Sequence, residues 1–223
     1  MAHFVTFEGG EGAGKSTQID RLRRRVEEFG HPVLITREPG GSEKAERIRN
    51  AILEGRVKPF GPFAEALLFS AARLDHLERT IRPALDKGTN VFCDRFADST
   101  RAYQGALGNV DPKTITMLER VVVEGTQPDL TFILDVPAEV GLARARSRRE
   151  AKSEASDRFE AEASSFHIAL RQAFLDIGAA NLERCVVIDA AQDIDEVESA
   201  IWSALRQRLP SLATSTRVAT HVA

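Results

Sequence analysis

Five short apolar runs recur along the chain: HFVTFE (3–8), PVLITR (32–37), NVFCD (90–94), LTFILDV (130–136) and RCVVIDA (184–190). Runs this apolar read as strands buried on both faces, as a parallel sheet covered by helices requires. Between them lie longer segments with helical spacing of apolar residues, at 15–29, 43–54, 63–87, 112–124, 138–148, 160–179 and 193–208. This alternation predicts a three-layer α/β/α fold on a five-stranded parallel sheet. Ligands in such folds sit beyond the carboxyl ends of the strands, and the conspicuous polar motifs fall there, after Glu8, after Thr36 and at Asp94. Two segments depart from the pattern. Residues 144–158, RARSRREAKSEASDR, are highly charged with almost nothing to bury, and the stretch after Pro210 has no helical periodicity. The expected organisation is one domain over 1–209 with a lid at about 144–158, followed by a frayed tail over 210–223.

Composition narrows the partners. The 223 residues carry 30 Lys+Arg against 33 Asp+Glu, a formal net charge of -3. A protein that coats polymeric nucleic acid carries a basic excess, so that class is disfavoured, while a small anionic ligand bound by a local arginine cluster is not. The two cysteines, Cys93 and Cys185, sit inside apolar runs and read as buried free thiols, too few for a disulfide framework or a zinc site. No stretch reaches the roughly 18 apolar residues that span a bilayer, and MAHFVTFEGG has neither a charged n-region nor an apolar h-region. The expected location is the cytoplasm, without a membrane partner.

The first polar motif is the most specific. Gly9-Gly10-Glu11-Gly12-Ala13-Gly14-Lys15-Ser16 fits G-x-x-x-x-G-K-[ST] between a predicted strand and a predicted helix, the context a P-loop needs. Its glycines let backbone N–H groups wrap a phosphate, and the helix start adds its positive dipole end. Lys15 is expected to reach the β- and γ-phosphates and Ser16 to ligate Mg²⁺. Residues 10–17 (Gly10, Glu11, Gly12, Ala13, Gly14, Lys15, Ser16 and Thr17) form the expected cradle for ATP, which makes this a P-loop NTPase fold. The N-K-x-D signature of many GTPases is absent, and no long apolar run ends in the adjacent acidic pair common in ATPases.

Four further stretches complete a pattern: Thr36-Arg37-Glu38-Pro39-Gly40-Gly41, Leu68-Phe69-Ser70-Ala71-Ala72-Arg73, Asp94-Arg95-Phe96 and Ser99-Thr100-Arg101-Ala102-Tyr103-Gln104-Gly105. Together with FEGGEGAGKST they resemble the thymidylate kinase (dTMP kinase) family, from about residue 3 to about 205. The layout is similar to the bacterial type in which the lid, not the P-loop, supplies an arginine. The resemblance implies transfer of the ATP γ-phosphoryl group to dTMP, in dTTP synthesis, with Mg²⁺ as cofactor and a homodimer packed through helices such as 63–77.

The chemistry asks for the same residues. The acceptor is itself a phosphate monoester and the donor is more anionic still, so several fixed cations are needed. Arg95, after NVFCD, can hold the acceptor phosphate in a planar fork, and the resemblance gives Arg49 a similar contact, with Arg37 and Glu38 shaping the same wall. Asp94 closes an apolar strand, where a carboxylate is costly unless satisfied, and an outer-sphere role at the metal would satisfy it. Phe69 looks like the face on which thymine stacks. Arg73, one helical turn on, can donate to thymine O4 and reject the amino group of cytosine. Thr100 and Gln104 resemble the family's base-edge contacts, Tyr103 the bulky residue near the sugar 2′ position, and Glu11 the acid that meets the 3′-hydroxyl.

In the lid, Arg158 of Ser156-Asp157-Arg158-Phe159-Glu160 aligns best with the family's D-R-[IF]-E element and is the expected catalytic arginine, with Arg146 or Arg149 next. The family stacks an arginine near the lid base on adenine, and the resemblance makes Arg144 the candidate; the loop Ala190-Ala191-Gln192 is expected to flank the adenine through backbone groups. Two rival readings are another nucleotide or nucleoside kinase, and a nucleotide-binding switch that hydrolyses slowly and has no acceptor site.

Overall fold

The five apolar runs form the strands β1 (Phe4–Glu8), β2 (Val33–Arg37), β3 (Asn90–Asp94), β4 (Leu130–Asp135) and β5 (Cys185–Asp189), hydrogen-bonded in the order β2-β3-β1-β4-β5 and all parallel. The computed structural model describes residues 2–152 and 158–215. The three inner strands are buried along almost their whole length, while the edge strands β2 and β5 are partly exposed. Phe7 of β1 packs against Phe92 of β3 and Phe132 of β4, with ring centroids 6.4 and 5.2 Å apart. The register sets Phe7 beside Asp94. Glu8 and Asp94 therefore end neighbouring strands at the same edge of the sheet.

Nine α-helical stretches lie among the described residues: α1 (Lys15–Glu28), α2 (Glu43–Leu53), α3 (Gly61–His76), α4 (Arg82–Asp86), α5 (Ala97–Thr100), α6 (Pro112–Val123), α7 (Ala138–Lys152), α8 (Ser164–Ala180) and α9 (Ile194–Arg208). Their starts follow local chemistry. The Ser42 side chain caps α2, Asp111 caps α6 ahead of Pro112, and Asp193 with Glu196 forms a capping box on α9.

The segment 63–87, expected as a single helix, is α3 and α4 joined by a π-helical turn at Leu77–Ile81. Pro83 lacks the N–H that an α-helix would use there, and the turn before it widens. The unexpected element is the helical run from Ala97 through Leu107, α5 followed by a π-helical segment at Arg101–Leu107. Gly105 and the polar residues around it break the apolar periodicity by which a helix is recognised. The ordered fold also extends past Pro210, with a 3₁₀ turn at Pro210–Ala213 that buries Leu212 in the core. Residues 216–223 of the expected tail, and Ser156 and Asp157 of the expected lid motif, lie outside the described residues. Cys93 and Cys185 are buried free thiols. Among the described residues no helix is long and apolar enough to cross a membrane.

Candidate active site

At the carboxyl edge of β1 the chain turns through the glycine-rich loop into α1. Gly14 takes the left-handed conformation, φ 89°, at the helix start. Gly12, φ 65°, lies against the backbone of α7, where a Cβ would overlap the carbonyl oxygen of Gly141. This close approach fixes the first turn of α7 on the loop. The ammonium of Lys15 is folded back onto the carbonyls of Gly9 and Gly10, at 3.1 and 3.0 Å. Burial and then the charge of Arg95 lower its pKa, against the pull of Asp94, Glu11 and Glu8.

The next wall comes from the end of β3. Ser16 Oγ donates to Asp94 Oδ2 at 2.8 Å, so a hydroxyl and a carboxylate stand together beside the loop. Both are hard oxygen donors of the kind Mg²⁺ takes. No cluster of three or more potential metal-ligating side chains occurs among the described residues. The pair fits an ion that keeps most of its shell as water and phosphate oxygens.

Arg95 follows with φ 68°, an unusual conformation for a residue with a side chain. Its guanidinium donates to Gly9 O at 3.0 Å, to Ser99 Oγ at 3.3 Å and to Glu11 Oε1 at 2.6 Å. Burial works against its charge, yet Tyr103, Glu11, Asp94 and Glu8 raise its pKa above the ordinary arginine value. Burial alone would also raise the Glu11 carboxyl, but Arg95 and then Lys15 outweigh it and bring it down to about 2. Tyr103 completes the group, donating to Glu11 Oε1 at 3.2 Å.

Glu8 supports this arrangement from beneath. Its carboxylate accepts from Phe96 N at 2.7 Å and Ser99 Oγ at 2.6 Å, bracing the turn that carries Arg95. It is fully buried, and burial, followed by repulsion from Asp98, raises its pKa to about 7 despite the opposing hydrogen bonds and Arg95. The native state thus keeps its proton up to about pH 7, whereas the unfolded chain releases it near the ordinary carboxyl value of 4.5. Between those pH values the native state binds more protons than the unfolded one, so stability falls as pH rises and levels off above pH 7. The expected loss across this window is about 3 kcal/mol at most. Glu8→Gln should lack it, so the melting temperature of the variant should gain on that of the native protein from pH 5 to 8. Parallel thermal-denaturation curves over that range would reject the assignment.

The far wall belongs to α3 and to the helical run 97–107. Phe69 and Arg73 line the cavity from one face of α3. Arg73 is 3% exposed and already engaged: Nε donates to Glu38 Oε2 at 2.7 Å, and Nη2 to Phe96 O at 3.1 Å and Thr100 Oγ1 at 3.0 Å. Nη1 is the nitrogen left for a ligand among the described contacts. His76 fixes the other carboxylate oxygen of Glu38 at 3.1 Å and meets Thr36 Oγ1 at 2.7 Å. Arg49 donates to Pro39 O at 2.8 Å, next to the cis Glu38–Pro39 peptide bond. Thr100, Tyr103 and Gln104 reach the same space from the run 97–107.

A single cavity of about 590 Å³ joins all these groups, from residues 11–17 of the loop past Asp94 and Arg95 to Phe69, Arg73 and Gln104. Every residue expected at the acceptor, namely Glu11, Glu38, Arg49, Phe69, Arg73, Arg95, Thr100, Tyr103 and Gln104, lines it. Gly10, Arg144, Gln192 and Arg158, also expected at the site, stand apart from the lining. Arg144 donates to the carbonyls of Ala190 and Ala191 at 2.8 and 3.4 Å, and the Gln192 side chain turns to Asp189.

The expected catalytic arginine, Arg158, is also elsewhere. It is paired with Glu65 at 2.5 Å and stacked on Phe159, and it does not line the cavity. Arg148, which is not among the expected site residues, does line it, together with Phe159 and Glu160. Gly141, Ala145 and Arg148 are spaced i, i+4, i+7 on α7, so they share a face. Gly141 and Ala145 meet the P-loop backbone on that face. Arg148 is thereby carried over the loop, close enough to Glu11 to lower its pKa further.

Comparison with known proteins agrees with this geometry. The family model described as "Thymidylate kinase" matches residues 7–201. A thymidylate kinase of Nitrobacter hamburgensis is 54% identical over 215 residues, covering 96% of this chain and 93% of that protein. One from Caulobacter vibrioides is 53% identical over 206 residues, covering 92% and 97%. The crystal structure of thymidylate kinase from Ehrlichia chaffeensis superposes with a TM-score of 0.72 at 33% identity, covering 92% of this chain and 98% of that one.

Proposed function

The chain belongs to the thymidylate kinase family, and on that premise we propose that it transfers the γ-phosphoryl group of ATP to dTMP, giving dTDP and ADP. The observation that carries the reading is the continuity of one cavity from the P-loop to the face of Phe69 and Arg73. A switch protein has no use for a second, arginine-lined compartment opening onto its phosphate cradle.

The acceptor phosphate oxygen is anionic at neutral pH and attacks without a general base, so catalysis is alignment plus charge neutralisation. Arg95 clamps the acceptor phosphate, and Arg49 reaches it from α2. Lys15 leaves the Gly9 and Gly10 carbonyls for the donor phosphates, which the backbone N–H groups of residues 10–17 wrap. Ser16 and Asp94 would hold Mg²⁺ beside the loop, and the ion would supply further neutralisation of the donor phosphates. Phe69 stacks on thymine, Arg73 Nη1 donates to O4, and Tyr103 closes the space beside the sugar 2′ position. Glu11, ionised at all working pH values and pinned by Arg95 and Tyr103, accepts from the 3′-hydroxyl. Arg148 delivers charge from the lid, the role first assigned to Arg158. Arg144 and the loop carrying Gln192 flank the adenine.

The protein acts in the cytoplasm on small molecules and pairs as a homodimer. Support for the pairing is an exposed apolar patch on adjoining helices: Phe63, Leu67 and Leu74 of α3, and Met117 and Val121 of α6.

An ADP-release assay with ATP–Mg²⁺ and dTMP, dUMP, dCMP, UMP, AMP or GMP as separate acceptors tests the function. dTMP should be preferred over every purine or ribose acceptor by orders of magnitude. It should be preferred over dUMP by about tenfold or more, the worth of one buried methyl. ADP release indifferent to the acceptor would instead mark a hydrolase.

A further inference from the structure

α3 places Glu65, Phe69 and Arg73 at successive four-residue steps on one face. Phe69 and Arg73 line the cavity, while Glu65 sits beside it, 4% exposed, in a place where a helix ordinarily carries an apolar residue. Its two oxygens are both used. Oε2 accepts from Gln104 Nε2 at 3.3 Å, and Oε1 lies 2.5 Å from Arg158 Nη1.

The partner decides which way the Gln104 amide is turned. A carboxylate paired with a guanidinium has no proton to give and only accepts. Gln104 must therefore direct its NH₂ group to Glu65. Gln104 is 2% exposed and lines the cavity, so the amide edge left to the cavity is its carbonyl oxygen. A buried amide with no such partner could present either edge at little cost, and the pocket would then accept a base with a ring N–H or one with a bare ring nitrogen.

We propose that Glu65 is a positioning residue that determines specificity: by holding the NH₂ of Gln104 it presents the amide carbonyl to the acceptor base. A base whose ring nitrogen carries a proton, as N3 of thymine does, then finds an acceptor. A base whose ring nitrogen is bare, as N3 of cytosine is, meets a second acceptor and leaves both lone pairs buried and unpaired. The proposal rests on the dTMP reading above and adds a selection at the ring nitrogen separate from that of Arg73 at the neighbouring exocyclic group. Glu65 touches no reacting atom and acts through Gln104.

The test is Glu65→Gln, which keeps size and shape but can both donate and accept. kcat/KM is measured for dTMP and for dCMP. The dCMP/dTMP ratio is expected to rise about tenfold, the scale of one mispaired buried hydrogen bond, with KM for ATP unchanged. Glu65→Asp still only accepts and is expected to keep the native ratio. In a Gln104→Leu background, Glu65→Gln should have no further effect on the ratio. Should Glu65→Gln fail to fold, Glu65→Met, of similar length and without a hydrogen-bonding group at its end, carries the same comparison. Equal loss with both acceptors would overturn the proposal, since a merely structural role scales both alike. If the native protein itself turns over dCMP as well as dTMP, it is the thymine reading that fails; native preference for dTMP with an unmoved ratio in Glu65→Gln removes Glu65 alone.

Discussion

Alanine at Arg95 is expected to lower kcat/KM for dTMP by about 10³-fold or more, the scale of removing one partner of a buried, hydrogen-bonded charge pair, while KM for ATP moves little. The loss has two physical parts. The acceptor phosphate loses its planar clamp, and Glu11 loses the guanidinium that holds its carboxyl at about 2. An acid left in the acceptor site without that partner repels the incoming phosphate, so Arg95→Ala should be worse than the loss of one hydrogen bond. Lysine should recover only a small part, because an ammonium cannot span Gly9 O, Ser99 Oγ and Glu11 Oε1 as the guanidinium fork does. Arg95→Gly separates chemistry from folding. The backbone at 95 has φ 68°, so glycine should be as inactive as alanine yet more stable by about 1 kcal/mol. Steady-state kinetics and thermal denaturation on the two variants make the comparison, and near-normal turnover in either would remove Arg95 from the mechanism.

The strands were legible because inner strands of a parallel sheet are apolar on both faces, a signal that does not depend on knowing the partners. The P-loop was legible because its residues are contiguous. The residues expected at the acceptor could be placed only as a set, and the reason is visible at Thr100, Tyr103 and Gln104. Their helical run is part π-helical and interrupted by Gly105, so its apolar residues keep no 3.6-residue period.

Glu65, His76 and Glu8 were missed for a different reason. A polar or charged side chain reads as solvated until its partner is known, and Gln104 lies 39 residues from Glu65 and Phe96 lies 88 from Glu8 in sequence. Glu38 and His76 are 38 apart. The one available signal was spacing, since Glu65, Phe69 and Arg73 form a four-residue ladder on a helix whose other buried positions include Ala66, Ser70 and Ala72.

The lid shows the limit of alignment by motif. Six basic residues between 144 and 158 present nearly equivalent side chains to a reader of sequence. What distinguishes Arg148 is the backbone contact between Gly12 and Gly141, which sets the rotation of α7 and with it the residue that overhangs the loop.

From that rotation comes the second large expectation. Arg148→Ala should lower kcat by about 10³-fold, within the range seen for arginines that stabilise phosphoryl transfer late, with KM for both substrates within a few-fold. The residue is half exposed, and the buried carboxylate of Glu160 that it meets at 3.5 Å keeps Arg149 as a second partner at 3.1 Å, so its removal should scarcely change stability. That combination, a kcat loss without a KM change or an unfolding penalty, marks a group engaged only as charge develops on the transferring phosphoryl. Arg146 and Arg149 project from other faces of α7, about 140° and 80° away from Gly141 at 100° per residue, and alanine there should cost little. Arg158→Ala should act mainly on acceptor binding, because its partner Glu65 adjoins the base end of the cavity. Rapid-quench kinetics of a single turnover compares the chemical step directly. If Arg158→Ala slows that step more than Arg148→Ala does, the D-R-[IF]-E assignment is restored and the lid must carry Arg158 from Glu65 to the phosphates in every cycle.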